Sequence, residues 1–220
     1  MNNGMDIDLR SENKDPALNL SAVMLASYLA TIEILNIVIK CSRDVNLRSG
    51  DRNRTALVCA IEGGNVDAVK LLLSQEMIEV NLVDSHGWTP LMYAVNHERV
   101  ATIRDLVTHS ANLNRPTDSG HTPITAAVNG NHTEAAKELL SSPGVEVNAV
   151  RPSDGRAPLH HTVSWENAEL VERLVEHGAD FQIRDSVNGF TALDYARYFN
   201  ERKILDLLKD NDPEKGVGSG

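Results

Sequence analysis

The side chains best suited to chemistry in this chain of 220 residues are its 8 histidines and 31 acidic residues. His160 and His161 are adjacent, and neighbouring side chains on a helix point about 100° apart, so this pair is poorly placed to share a metal ion. His86 and His121 occupy two polar loops of similar sequence, but no third metal ligand accompanies them. The histidines therefore predict neither a metal site nor another cofactor.

Motifs of known catalytic and nucleotide-binding sites are missing from the chain. The sequence holds no P-loop, no G-x-S-x-G turn, no H-E-x-x-H and no G-x-G-x-x-G. Ser, His and Asp residues are frequent in the polar loops, but a catalytic triad requires a base that is held beside an oriented carboxylate. Exposed loops rarely supply that arrangement. We therefore expect a protein that is not an enzyme.

An internal repeat determines which elements carry these residues. A small residue, then Ala or Pro, an aliphatic residue and, three positions later, usually Ala recur six times. The copies lie 34, 34, 33, 35 and 34 residues apart and begin at Ser21, Thr55, Thr89, Thr122, Ala157 and Thr191. A second apolar block follows each start with the spacing of an amphipathic helix, as in residues 34–38. Each copy predicts two helices, and polar loops that contain Gly, such as residues 84–87, separate the copies.

A period near 33 residues with a Thr-Pro-Leu start resembles the ankyrin repeat. The resemblance implies an all-α ankyrin-repeat solenoid of stacked helix–turn–helix units with hairpin-like finger loops. It covers residues 16–211, with repeats that start near residues 17, 51, 85, 118, 153 and 187. Residues 1–15 and 212–220 are expected to be a flexible N-terminal segment and a flexible tail.

The resemblance also assigns roles to two residue types in the turns. The motif histidine of the family is present only as His160, whose imidazole is expected to form a hydrogen bond within its turn. Four turn asparagines, Asn46, Asn81, Asn114 and Asn148, are expected to bond local backbone across the finger and fix the turn. Ankyrin repeats are also substrates of an asparaginyl hydroxylase that favours Leu eight residues before the Asn, which suggests Asn81, Asn114 and Asn148 as modification sites.

Composition limits the class of partner and the compartment. The formal net charge of −10 argues against nucleic acid, which requires a basic face to neutralise phosphates. The richest apolar stretch, residues 23–39, contains Ser27, Glu33 and Asn36, so no membrane span is predicted. Cys41 and Cys59 have no disulfide or metal spacing, and we expect reduced thiols in the cytoplasm or the nucleus.

Stacked repeats of this kind present a concave groove that usually binds another protein, and the repeat register indicates which side chains face it. The position just before each repeat start lies on a finger loop and reads Arg54, Trp88, His121, Arg156 and Phe190. Exposed ends of first helices and one finger histidine add Trp165, Tyr198, Phe199, Asn96 and His86. Trp, Tyr and Arg dominate interface energies, so these ten residues are the candidate partner-binding set. Because neither tryptophan belongs to the repeated apolar stripe, we expect their removal to change stability little.

Structural interpretations compete with binding for several of these side chains. Tyr198 and Phe199 also suit closure of the last repeat, because terminal units of a repeat array need covering. Arg54 and Arg156 also fit ordinary solvated charges, which is the commoner fate of a surface arginine.

The function implied by the resemblance is a non-enzymatic protein–protein interaction module that binds a protein in the groove as a monomeric adaptor, inhibitor or scaffold. The alternative is an array that recruits substrates for a larger enzyme or effector, with the catalytic domain outside this chain. A third hypothesis is a ligand-binding or metal-sensing role for the histidines of the fingers.

Overall fold

The computed structural model describes residues 21–29 and 31–210, which fall into two compact units divided after Asn112. Helices of the first unit are α1 (Ala22–Leu29), α2 (Ile32–Cys41), α3 (Ala56–Glu62), α4 (Val66–Leu73), α5 (Pro90–Asn96) and α6 (Val100–Thr108). Helices of the second are α7 (Pro123–Asn129), α8 (Thr133–Leu140), α9 (Pro158–Ser164), α10 (Ala168–Glu176), α11 (Ala192–Tyr198) and α12 (Arg202–Asp210). Within the described residues the only β-type pairing outside the helices is a single bridge, Ser49–Arg54.

Each helix pair coincides with one predicted repeat, so the predicted all-α ankyrin-repeat fold is confirmed. The repeat start near residue 17, the N-terminal segment 1–15 and the tail 212–220 lie outside the described residues. The predicted division into these segments stays a prediction.

Threonine side chains fix where four of the first helices begin. The Oγ1 atoms accept hydrogen bonds of 3.2–3.4 Å from the backbone N–H three residues further on, and they belong to Thr55, Thr89, Thr122 and Thr191. Pro at the first helical position of α5 and α7 has no N–H to leave unsatisfied. A cap of this kind stabilises a helix by about 1 kcal/mol.

His160 makes a different bond at the start of α9, where Ala157 has no hydroxyl to cap the helix. The Ala157 N–H donates to Nδ1 of His160 at 3.1 Å, so the ring proton belongs on Nε2, which lies 3.2 Å from the Phe190 carbonyl oxygen. Burial lowers the pKa of His160, which favours this neutral form. The predicted bond within the turn is confirmed, and the second bond ties α9 to the next finger.

The repeated aliphatic position forms the core of each unit. Val23, Leu57, Leu91, Ile124 and Leu159 are all 0–2% exposed. The packing position three residues further on is also buried. Thr162 takes the place of Ala there and donates its hydroxyl to the Leu159 carbonyl at 2.8 Å. Leu193 at the same aliphatic position of the last repeat is half-buried.

The turn asparagines link each repeat to the next one, so the expected bond across the same finger is wrong. The amide nitrogen of Asn46 donates to the Met77 carbonyl at 2.7 Å, and its Oδ1 accepts the Glu79 N–H at 2.9 Å. The same two bonds are repeated within the units by Asn81, Asn114 and Asn148. The physical reason is that a carboxamide offers one donor group and one acceptor, which match a C=O and an N–H two residues apart in the following turn.

Candidate partner-binding surface

The finger loops are closed at their base by backbone hydrogen bonds to the predicted finger residues. In each finger the carbonyl oxygen of the predicted residue accepts the N–H of a residue four or five positions earlier, at 2.9–3.0 Å. The pairs, donor first, are Ser49–Arg54, Asp84–Trp88, Thr117–His121, Arg151–Arg156 and Asp185–Phe190. The sequence register therefore identified a structurally equivalent position in each finger. These backbone bonds fix where the five side chains start.

Neighbouring fingers within a unit also contact one another. In the first unit the Ser85 N–H donates to the Arg52 carbonyl at 2.9 Å, and in the second the Ser186 N–H donates to the Asp154 carbonyl at 2.8 Å. Gly120 has φ +81°, and a Cβ there would lie 2.3 Å from Cδ of Pro152. Only glycine fits that close approach. The fingers are thus ordered by contacts along each unit.

Arg54 in the first unit is a paired side chain, which differs from the solvated charge considered from sequence. Its Nη1 lies 2.5 Å from a carboxylate oxygen of Glu62 at the end of α3, and its Nη2 lies 3.7 Å from Asp51. Only about a fifth of each side chain in the Arg54–Glu62 pair is exposed, at 18%. The ion pair joins the finger to the end of its first helix and holds the guanidinium in one orientation.

Trp88 is half-buried, and its ring lies edge-on to Tyr93 with centroids 5.3 Å apart. The Tyr93 hydroxyl donates to Asp84 Oδ2 at 2.8 Å, while Asp84 Oδ1 accepts the N–H groups of His86 and Trp88 at 2.8 Å each. Burial and the bond to Asp84 raise the pKa of Tyr93. Trp88 therefore packs against its own repeat, and the expectation that its loss leaves stability unchanged needs revision. His86 in the same finger is less buried than Trp88, with 64% of its side chain exposed.

The corresponding positions in the second unit are also held by internal contacts. His121 is half-buried, with Nδ1 3.1 Å from the Asn129 amide nitrogen, and burial, with Arg151 adding to it, lowers the pKa of the His121 imidazole. Arg156 donates from Nη2 to the Tyr195 hydroxyl at 2.6 Å, and its guanidinium carbon lies 4.9 Å from the centre of the Tyr195 ring. The predicted finger residues His121 and Arg156 are thus engaged by side chains of their own unit.

Tyr195 is the centre of an aromatic cluster that sequence reasoning missed. Its buried ring lies 5.6 Å from Phe190 and 6.0 Å from Phe199, measured between centroids, and its hydroxyl donates to the carboxylate of Asp185. Tyr93 and Asp84 form the same arrangement in the first unit. The available signal was an Asp at the finger base followed nine or ten residues later by Tyr in the first helix.

Exposed aromatic rings accumulate at the ends of the first helices in the second unit. Trp165 after α9 is 52% exposed, Tyr198 at the end of α11 is 74% exposed and Phe199 is 43% exposed. Tyr198 meets Phe199 edge-on at 5.2 Å between centroids. Asn96, at the equivalent end of α5 in the first unit, is exposed as well. The helix ends thus present large side chains to solvent as predicted from their register.

Residues 21–29 and 31–210 hold neither a cluster of metal-ligand side chains nor a helix of membrane-spanning character. No group of three His, Cys, Asp or Glu side chains among them is arranged to hold a metal ion. In the same part of the chain, none of the helices combines the length and the apolar character that crossing a bilayer demands.

Comparison with known families settles the relationship that the repeat implied. The family model described as ankyrin repeats in three copies matches overlapping segments over residues 23–117, 78–151, 103–185 and 124–217. The chain belongs to the ankyrin repeat family. Ankyrin repeats are an interaction fold without catalytic chemistry of their own, which mediates binding to protein partners. A solved structure of the ankyrin repeat domain of Bcl-3, a member of the IkappaB protein family, matches with a TM-score of 0.77 and 23% identity, covering 87% of this chain and 86% of that one.

Relatives of this ankyrin repeat chain are longer proteins of different kinds. It is 30% identical over 152 residues to the SMC5-SMC6 complex localization factor protein 1 of Bos taurus, covering 69% of this chain and 14% of that protein. Identity to the mouse B-cell lymphoma 3 protein homolog is 30% over 202 residues, covering 90% and 43%. For the putative palmitoyltransferase ZDHHC13 of Danio rerio it is 25% over 201 residues, covering 91% and 30%. The chain therefore spans less than half the length of each of these relatives.

Proposed function

We propose that this ankyrin repeat chain is a non-enzymatic binding module whose finger loops and first helices engage a protein partner, as an adaptor, inhibitor or scaffold. The observation that carries the proposal is the exposure of Trp165, Tyr198 and Phe199 at the ends of first helices. Helix packing does not need large aromatic side chains at the positions of Trp165 and Tyr198, the two most exposed of the three, whereas Phe199 also stacks on Tyr195. Aromatic residues are enriched among the few side chains that supply most of the binding energy in protein interfaces.

Within each unit, the finger residues would form part of a preorganised binding surface. Internal contacts already orient Arg54, Trp88, His121, Arg156 and Phe190, so little side-chain entropy is lost when a partner binds. His86 and Asn96 are exposed and suit polar contacts at the rim of the surface. The net charge of −10 supports a protein rather than nucleic acid as the partner.

The proposal includes a monomeric protein inside the cell, in the cytoplasm or the nucleus. Support for the compartment comes from Cys41 and Cys59, which are both unpaired thiols. It also treats Asn81, Asn114 and Asn148 as structural first and as modification sites second, because both ends of each carboxamide are engaged. Intact-mass analysis of protein from its native source, with a 16 Da gain per site, would detect hydroxylation.

The second candidate function is a recruiting array within a larger enzyme or effector. The observation that favours it is the match to the putative palmitoyltransferase of Danio rerio, of which this chain covers 30%. In that case a catalytic domain outside this sequence would perform the reaction, while the array would select its substrate. Sequencing the native transcript beyond both ends of this reading frame distinguishes the two candidates.

Quantitative affinity capture tests the proposal. Wild-type protein, the variant Trp165→Ala/Tyr198→Ala and the control Met77→Ala are used as baits in cell extract, and the captured proteins are compared by mass spectrometry. Met77 is a matched control because it is an exposed apolar side chain, 78% exposed, in the turn after α4. We expect a specific protein to be lost only with the double variant. Equal capture by all three baits would contradict the proposed surface.

A further inference from the structure

Within the proposed binding surface, the last described repeat carries a shallow depression of about 530 Å³. It lies between the finger that ends at Phe190 and the helix α11, and its lining residues are Arg184, Asn188, Phe190, Asp194, Arg197 and Tyr198. Arginine and aromatic side chains together are the composition typical of interface centres. The depression therefore offers more specific chemistry than the other exposed apolar positions.

Two arginines beside this depression are held in place by one carboxylate. Nη1 of Arg197 lies 3.2 Å from Asp194 Oδ1, and Nη1 of Arg184 lies 3.9 Å from Asp194 Oδ2 while donating to the Gly189 carbonyl at 2.8 Å. These bonds use one nitrogen of each guanidinium, and the two arginine side chains stay 63% and 59% exposed. Each arginine therefore keeps further N–H donors for a ligand.

Asp194 is committed to this role because it also caps α11. Its Oδ2 accepts the Thr191 N–H at 3.1 Å and the Thr191 hydroxyl at 2.9 Å. These bonds lower the pKa of Asp194, so the carboxylate stays charged. Two guanidinium groups and one carboxylate leave one positive charge at the depression, in a chain whose formal net charge is −10.

Apolar contact area lies directly beside this positive charge. Phe190 is fixed by its edge-on contact with Tyr195, at 5.6 Å between centroids, and Tyr198 presents a ring that is 74% exposed. A ligand that fits must therefore bring a carboxylate for the arginines and, next to it, an apolar side chain for the two rings. A guanidinium pairs with a carboxylate through two parallel hydrogen bonds, which gives geometric selectivity.

We propose that this depression binds an acidic peptide segment of the protein partner, with a Glu or Asp carboxylate between Arg184 and Arg197 and a neighbouring apolar side chain against Phe190 and Tyr198. The inference rests on the proposed function and names the chemistry of the partner at this site. A basic peptide would bring its positive charges against the two arginines. A nucleic acid would bring many phosphates to a chain that is acidic as a whole.

The test uses the full chain and fluorescence anisotropy with labelled peptides of nine residues that alternate Glu with Phe or Leu. Two further peptides carry Gln or Lys in place of every Glu. We expect the Glu peptide to bind and the other two to bind at least tenfold more weakly. The variant Arg184→Gln/Arg197→Gln should weaken binding of the Glu peptide at least tenfold, and Tyr198→Ala should weaken it severalfold.

The matched control is Arg173→Gln on α10, an arginine with 51% exposure that is paired with Glu176. It should leave peptide affinity unchanged, and circular dichroism should show that all variants keep the wild-type fold. Equal affinity for the Glu, Gln and Lys peptides, or equal loss with Arg173→Gln, would overturn the inference. If the peptide does not bind while partner capture still depends on Trp165 and Tyr198, the acidic-peptide inference fails and the proposed function stands.

Discussion

Oδ1 of Asn114 accepts a hydrogen bond from the backbone N–H of Glu146, 32 residues further along the chain, at 2.9 Å. The amide nitrogen of the same side chain donates to the Gly144 carbonyl at 2.7 Å. One side chain thus joins the segment after α6 to the turn after α8. A repeat fold depends on contacts between neighbouring repeats, so such a bridge contributes to stability beyond its own turn.

Asn114→Ala should lower the free energy of unfolding by about 1–3 kcal/mol, because two hydrogen bonds of roughly 0.5–1.5 kcal/mol each are lost. Urea denaturation followed by circular dichroism measures the change. Asn36→Ala serves as the control, since Asn36 lies exposed on α2, where Ala favours the helix. Equal stability of Asn114→Ala and the parent would show that the bridge is not a stabilising contact.

Leu91→Ala should be far more damaging than Ser85→Ala. Leu91 is 1% exposed in the core of the first unit, and truncation of such a residue costs about 2–5 kcal/mol. Ser85 is exposed, and its backbone N–H, which bonds to Arg52, is unchanged by the substitution. A surface change of this kind stays within about 0.5 kcal/mol. Matching urea midpoints for the two variants would contradict the assignment of Leu91 to the buried aliphatic position of the repeat.

Trp88→Ala and Trp165→Ala should differ in stability even though both residues are candidates for binding. Trp88 is half-buried against Tyr93, and loss of an aromatic pair and its buried area should cost about 1–2 kcal/mol. Trp165 is 52% exposed, so its removal should change the free energy of unfolding by less than about 0.5 kcal/mol. Thermal unfolding compares the two directly. A larger loss for Trp165→Ala would mean that its ring is part of the core.

Acid should weaken the second unit through His161. Burial, with the charge of Arg151 adding to it, lowers the pKa of this imidazole to about 4, whereas an unfolded histidine titrates near about 6.5. Between these values the unfolded chain binds a proton that the folded chain does not, so stability falls as the pH falls. The loss approaches about 1.4 kcal/mol per pH unit in that window. Unfolding of His161→Gln should depend less on pH between 6.5 and 5 than that of the parent, and an unchanged pH dependence would contradict this assignment.

Local sequence patterns were enough to predict the helices and the core. The threonine caps depend on atoms three residues apart, and the aliphatic position of Leu91 recurs with the period of the repeat. Contacts between repeats were harder to derive. The hydrogen bonds of Asn114 and the bond from His160 to Phe190 join residues about 30 apart in the chain. Which residues they join depends on how one repeat stacks on the next, and the spacing of residues within a repeat does not determine that.

The candidate surface was predictable in position but not in its internal contacts. The register located Trp88 and Arg156 correctly on their fingers. It did not reveal that the Trp88 ring packs against Tyr93 or that Arg156 donates a hydrogen bond to the Tyr195 hydroxyl. Each tyrosine also fits the apolar pattern of its helix, which gave no sign of these contacts. A side chain that is well placed for a partner can therefore be held by its own repeat, and only the contacts separate rings that pack from rings that stay exposed.

The most direct test of the proposed surface is isothermal titration calorimetry of the captured partner against the wild type, Trp165→Ala and the control Met77→Ala. If the ends of the first helices bind the partner, Trp165→Ala should lose about 2 kcal/mol of binding energy, a dissociation constant roughly 30-fold higher, while Met77→Ala keeps the wild-type affinity. Equal affinity of all three proteins for the partner would contradict the proposal that this surface is the binding site.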